Sequence, residues 1–232
     1  MQPRANPESP EETTVSHELT LYSYWRSSAA YRVRIALNLK GLAYDMHPVH
    51  LVRDGGEQHG EAYRRLNPQE LVPTLLHGER VLRQSLAIIE YLDETWPETP
   101  LLPVGPRERA QARALAQVVA CDIHPIGNVS VLQYLRDECG MPQVEREQWS
   151  RHWIERGFRA LETLLQADLS RGCFCTGDTP GLADLCLVPQ VYNAHRWGVD
   201  MQAFPTIAAV HAACQELDAF RQAAPEAQPD AP

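Results

Sequence analysis

Two hydrophobic periods alternate through the first hundred residues of this chain, and a single one governs the rest. Leu19-Thr20-Leu21-Tyr22-Ser23-Tyr24-Trp25 alternates and is rich in β-formers, which predicts a strand. Ser27 and Ser28 open a helical stretch from Ala29 to Lys40 that stops at Gly41. Tyr44 to Leu51 reads as a second strand, parallel to the first if the intervening helix is a crossover. Val72 to Leu76 and Arg80 to Leu82, joined around His77-Gly78-Glu79, predict a hairpin. Ser85 to Thr95 predicts a helix with Leu86, Ile89 and Leu92 on one face and Pro97 just beyond. From Glu108 onward the pattern is helical: Arg109 to Cys139, Val144 to Leu165, Leu182 to His195 and Thr206 to Ala223. The chain thus divides into an α/β domain over 19–100, a linker over 101–107 and an all-α domain over 108–224. A disordered tail is expected over 1–18 and a C-terminal tail over 225–232; no internal repeat is visible.

Composition narrows the function. The formal net charge is −9, whereas a nucleic-acid binder gains affinity by setting Lys and Arg against phosphates, so nucleic acid is not expected as a partner. No stretch reaches the ~20 apolar residues of a membrane helix, and Met1 to His17 lacks the apolar core of a secretory signal, so a membrane is not expected either. The six cysteines form no C-x-x-C pair, and Cys173 with Cys175 lacks companion ligands at zinc spacing, so no metal is expected. Free thiols in a reducing cytoplasm, mostly acting as small core hydrophobes, are the expectation.

Two short motifs carry chemistry. In Leu71-Val72-Pro73-Thr74, the proline cannot donate a ladder hydrogen bond and often marks a cis peptide, so Val72 is free to offer its backbone to an extended peptide. Eleven residues on, Gln84-Ser85 begins a helix; Ser85 as an N-cap, with free N–H groups at the positive end of the dipole, makes a carboxylate site.

Leu21 to Ser28 followed by Tyr31-Arg32-Val33-Arg34-Ile35-Ala36-Leu37 resembles the zeta-class glutathione-transferase signature. Leu66-Asn67-Pro68-Gln69, Val72 to Leu75, Gln84 to Leu92, Asn128 to Leu132 and Ala183 to Val191 resemble it too, in register from about Leu19 to Pro229. The resemblance implies the glutathione-transferase fold, with a thioredoxin-like N-terminal domain, an all-helical C-terminal domain and a homodimer. It places Ser27 and Ser28 beside the sulfur of glutathione, Val72 with Pro73 against the cysteinyl backbone, and Gln84 and Ser85, with Gln58 nearby, at the γ-glutamyl carboxylate. His124, where some relatives have glutamine, and Asn128, Val129 and Ser130 approach the same site from the second domain. Arg26 and Arg196 are the expected holders of a dicarboxylate keto-acid substrate.

The implied reaction is the cis-trans isomerisation of maleylacetoacetate. Ser27, supported by Ser28, favours the glutathione thiolate, which adds to the double bond and leaves after rotation. A maleylpyruvate isomerase, a general conjugating transferase and a non-catalytic glutathione-binding module are the rivals; Val129 and Ser130 do not supply the extra arginines expected of the first. Two positions depart from the family pattern. Ala29 stands where many relatives have cysteine, and Gly181 stands where the fold caps a buried helix with Ser or Thr, with Asp184 expected to be structural.

Overall fold

The structure is a computed structural model that describes residues 18–169 and 171–232. The expected N-terminal tail lies outside the described residues except for Glu18, whose carbonyl accepts from Gly78 N–H and whose carboxylate lies 2.7 Å from His77 Nε2.

Four strands, β1 (Leu19–Ser23), β2 (Asp45–Pro48), β3 (Thr74–His77) and β4 (Arg80–Arg83), form one sheet in the order β2-β1-β3-β4. β1 and β2 are parallel, as the crossover predicts, and the other two pairings are antiparallel. The crossover is α1 (Ser28–Leu39), with Ser27 as its N-cap and Gly41, at φ +65°, reversing the chain behind it. The short α2 (Glu61–Leu66) was not expected; it buries only Tyr63, so its sequence shows no helical period. α3 (Ser85–Thr95) follows β4 with the predicted limits.

The helical half departs from expectation twice. The helix expected from Arg109 to Cys139 is broken into α4 (Pro106–Gln117), a π-helical segment Val118–Ile123, a tight 3₁₀ turn His124–Gly127, and α5 (Val129–Asp137). Pro125 has no N–H to continue the ladder, and Asn128 starts a new helix by accepting from Val129 N–H at 2.7 Å. Apolar spacing continues through the break, which hides it from a pattern of period 3.6. After α6 (Gln143–Ala167) and α7 (Leu182–Arg196), the expected helix from Thr206 to Ala223 is likewise divided, into α8 (Pro205–Gln215) and α9 (Asp218–Ala223), with Leu217 capping the second. Pro106–Asp137 is the one run among the described residues that is long and apolar enough by composition to cross a membrane, contrary to the sequence expectation. Its apolar residues Ala112, Leu115, Ala116, Val119 and Ile123 are instead buried in the protein core, and the turn at His124 interrupts it.

One continuous core joins the two halves, running from Leu21 and Leu75 in the sheet through Val33 and Leu37 of α1 to Leu185 and Leu187 of α7. The proline-bearing connection is tied down at Lys40, whose ammonium pairs with Asp93 at 3.1 Å and donates to the carbonyls of Trp96 and Thr99. α6 approaches the π segment so closely that a Cβ on Gly157 would lie 2.3 Å from Ile123. The C-terminal residues are docked rather than trailing: Gln228 is buried, and Asp230 accepts from the Trp25 N–H at 2.9 Å. All six cysteines are free, but only Cys175, Cys186 and Cys214 are buried; Cys121, Cys139 and Cys173 are exposed, so the core role holds for half of them.

Gly181 does cap α7, and its want of a side-chain acceptor has a steric reason. A Cβ there would lie 2.8 Å from the Leu101 carbonyl, which itself accepts the Leu182 N–H. The fully buried Asp184 completes the cap, accepting from Gly181 N–H and Cys175 N–H, each at 2.9 Å. Removing that carboxylate strands two buried donors. Asp184→Ala is expected to lower the unfolding free energy by about 2–4 kcal/mol in urea titrations, with little change in the folded-state circular dichroism.

Candidate active site

Three helix N-termini converge on one side of the molecule. α1 begins at Ser27-Ser28, α3 at Gln84-Ser85 and α5 at Asn128-Val129-Ser130, and all of these residues line two adjoining cavities of about 510 and 120 Å³. The two share Ser27, Leu51, His124, Asn128 and Val129 as a common wall. Each helix start presents free N–H groups and the positive end of a dipole, so the convergence favours an anion although the chain carries a net charge of −9.

The larger cavity gathers Ser27, Gln58, Val72, Pro73, Gln84, Ser85, His124, Asn128, Val129 and Ser130, every one a position singled out from the sequence. Ala29, in place of the frequent cysteine, lines it with a methyl group. Ser27 Oγ accepts from Ala30 N–H at 3.2 Å, which occupies a lone pair and leaves the hydroxyl proton to be donated. The Val72–Pro73 peptide is cis, as expected. Among the described residues neither the N–H nor the C=O of Val72 makes a backbone hydrogen bond, so both stand ready for an extended chain. The loop ahead of it is held rigid: Tyr63 Oη and Asn67 Nδ2 both donate to the Leu71 carbonyl at 2.7 Å.

At the α3 end one expectation needs correction. The N-cap is Gln84, at φ +69°, and not Ser85, which is the first helical residue. Gln84 Nε2 donates to Gln69 Oε1 at 2.9 Å, and the buried Ser85 Oγ accepts from Arg32 at 3.2 Å. Gln58 is buried, and its Oε1 lacks a partner, as do Nε and Nη2 of Arg32. Both residues line this cavity, whose polar lining suits a ligand carrying both N–H and carboxylate groups and whose volume lies within the range of small-molecule sites. Glutathione is such a ligand.

The smaller cavity holds Ser28, Arg26 and Arg196 together with Tyr24, Asn193 and Trp197. Ser28 Oγ accepts from Asn193 Nδ2 at 2.8 Å, a partner from α7 that sequence reasoning did not assign. The Arg26 guanidinium lies over Trp25 and that of Arg196 over Trp197. Neither arginine makes an ion pair with a described residue. Desolvation and, after it, the charge of Arg26 lower the pKa of Arg196, so the two cations lie within electrostatic reach of each other. Sequence reasoning missed Arg32, Asn193 and Tyr24 as lining residues; an arginine among the apolar positions of a buried helix was the available signal for the first.

His124, at the common wall, has its pKa pushed down to about 3 by desolvation and then by the Arg32 charge, so it is neutral at physiological pH.

Comparison with known proteins gives a consistent picture. Residues 21–100 match the family model described as the glutathione S-transferase N-terminal domain. The chain is 55% identical, over 92% of its length and 98% of the relative's, to a probable maleylacetoacetate isomerase of Vibrio cholerae. It superposes with a TM-score of 0.89 on a holo maleyl pyruvate isomerase described as a bacterial zeta-class glutathione S-transferase (51% identity, covering 92% of this chain and all of that one). A maleylacetoacetate isomerase from Methylobacterium extorquens, solved with malonate and glutathione, gives 0.88 at 44% identity over 92% and 99% of the two chains.

The titration of His124 has a consequence for stability. His211 is also held low, at about 4, by desolvation and then by His195. Both imidazoles take up a proton near pH 6.5 when unfolded but not when folded, so the unfolded state binds more protons and stability falls as pH drops from about 6.5 toward 4. In urea titrations across that range, His124→Gln and His211→Gln are each expected to remove up to about one proton from the pH slope, while above pH 7 variant and wild-type curves run parallel.

Proposed function

The chain belongs to the zeta class of glutathione S-transferases, and from that premise we propose that it is a glutathione-dependent isomerase converting maleylacetoacetate to fumarylacetoacetate. The observation that carries the reading is the pairing of an anion-favouring cavity, built on three helix starts, with a second cavity flanked by two arginines that make no ion pair with a described residue.

Glutathione, when bound, supplies the thiolate that adds to the cis double bond and departs once the carbon–carbon bond has turned. The rest is the work of this chain's own side chains. Ser27, with its lone pair committed to Ala30, donates its proton toward the sulfur position and, with the positive end of α1, favours the anion. Ser28, held by Asn193, supports it from the substrate side. Val72, behind cis-Pro73, pairs its backbone with the cysteinyl peptide. Gln84 and Ser85 take the γ-glutamyl carboxylate at the start of α3, and Gln58 Oε1 accepts an N–H of the same ligand. His124 acts as a neutral hydrogen-bonding group, which accords with glutamine at this position in relatives. Asn128, Val129 and Ser130 close the wall from the second half. Arg26 and Arg196, whose guanidinium groups lie over Trp25 and Trp197, bind the two carboxylates of the substrate through bidentate contacts.

Maleylpyruvate is the second reading, supported by the likeness to the zeta-class maleyl pyruvate isomerase. It presents the same maleyl group on a shorter acid, so the same arginines and the same serine serve it. The family likeness also supports a cytoplasmic homodimer, an assembly that light scattering on the purified chain checks directly.

The deciding assay follows the absorbance of enzymatically generated maleylacetoacetate, with and without glutathione, coupled to fumarylacetoacetate hydrolase. Turnover is expected only with glutathione. Ser27→Ala is expected to cut kcat/KM about 100-fold and to raise the pKa of the bound thiol, read from thiolate absorbance near 240 nm. Consumption of maleylpyruvate alone would transfer the assignment to the second reading, and inertness toward both substrates would overturn the isomerase.

A further inference from the structure

Helix α1 carries two buried arginines that are treated in opposite ways. Arg34 is fully buried, and each guanidinium nitrogen has an acceptor: Nε bonds the Ala223 carbonyl at 2.9 Å, Nη1 bonds Ser23 Oγ at 3.0 Å, and Nη2 bonds the Trp25 carbonyl at 3.0 Å. That is how this protein builds an arginine into its core. Arg32, 2% exposed, makes one hydrogen bond, from Nη1 to Ser85 Oγ at 3.2 Å, and its Nε and Nη2 are buried with no partner.

Among the described residues Arg32 also lacks a counter-ion. The groups that raise its pKa against desolvation are the thiols of Cys186 and Cys121, not a carboxylate. The larger cavity that it lines contains one carboxylate, Glu70, and that group is engaged by His59. Leaving a guanidinium buried with two nitrogens unpaired costs several kcal/mol, and the ordinary remedy is an anion brought from outside. The site of that anion is marked by the single bond Arg32 does make. Ser85 accepts from Arg32, which leaves its own hydroxyl proton for a further acceptor, and it opens α3, where the first-turn N–H groups and the helix dipole add to the same field.

We propose that Arg32 is an anion-binding residue of the glutathione pocket, whose guanidinium neutralises the α-carboxylate of the γ-glutamyl group together with Ser85. The proposal rests on the glutathione reading above and adds to it the one full positive charge in the wall of the larger cavity. It explains why an arginine is retained at an interior position that the core does not satisfy: the free protein bears an unpaired charge, and the ligand pairs it.

The test separates a ligand role from a structural one. Binding of glutathione and of 4-aminobutyryl-cysteinyl-glycine, which lacks only that carboxylate, is measured by calorimetry on wild type, Arg32→Met and Arg32→Lys, alongside the melting temperature of each free protein. Arg32→Met is expected to weaken glutathione about 30-fold or more and the analogue about twofold or less, with no fall in melting temperature, because an unpaired buried charge has been removed. Arg32→Lys is expected to recover part of the discrimination between the two ligands. Equal losses for both ligands, no loss for either, or failure of both variants to fold would overturn the proposal and make Arg32 a core strut. Wild-type protein that binds no glutathione would overturn the functional reading itself, and this inference with it.

Discussion

A guanidinium taken out of water must find acceptors for its N–H groups or remain a liability of several kcal/mol, and Arg34 meets that demand by holding the active-site loop. Its partners are Ser23 at the end of β1, the Tyr24 and Trp25 carbonyls that follow, and Ala223 at the end of α9. Asp230 takes the Trp25 N–H from the other side. Both backbone groups of Trp25 are therefore fixed two residues ahead of Ser27, the carbonyl by Arg34, which is itself anchored on Ala223 of α9, and the N–H by Asp230. The position of the Ser27 hydroxyl and of Arg26 thus depends on α9 and the segment after it being in place, which ties the loop ahead of α1 in the first half to the folding of the second.

That dependence accounts for the single core shared by the two halves. A helix whose N-terminus forms part of a binding site must still bury its body, and α1 does so between α3 on its own side and α7 and α9 on the other. The start of α5 reaches the same cavities only because the chain turns sharply at His124–Gly127, and the π segment before it is pressed close to α6 at Gly157. The irregular stretch that defeats the helical pattern is the one that brings His124 and Asn128 into the wall. A regular helix through Pro125 would carry both away.

The sequence was readable where a residue type has one good use. Serine before an apolar helix, glycine after it, and Val72-Pro73 at the head of a strand each state their geometry locally, and the parallel pairing of β1 with β2 followed from the crossover. Legibility failed where local signals were absent or ambiguous. The six residues of α2 bury one side chain, so no period exists to detect; the breaks at Pro125 and Leu217 fall inside unbroken apolar spacing. Ser85 was read as the cap because serine is a favoured N-cap residue, whereas the cap is Gln84, at φ +69°, a conformation that glutamine rarely adopts. The two arginines of the α1 signature look alike in sequence. Only the inventory of acceptors around each distinguishes the strut from the unpaired charge.

The site divides its labour by origin. The small domain supplies backbone and short polar groups — Val72, Gln84, Ser85, Gln58 — suited to a peptide ligand of constant structure. Of the two arginines flanking the adjoining cavity, one comes from the loop that Arg34 clamps and the other from the last turn of α7. Only Ser27 and its neighbours at the common wall serve both cavities. On the proposed reading, substitutions near the end of α7 would alter which acid is accepted without touching Ser27 or the larger cavity. On the same proposed reading, discrimination between a longer and a shorter maleyl acid would fall to the lining of the smaller cavity, which includes Leu132, Asn193 and Trp197, whereas isomerisation of either acid would draw on the start of α1.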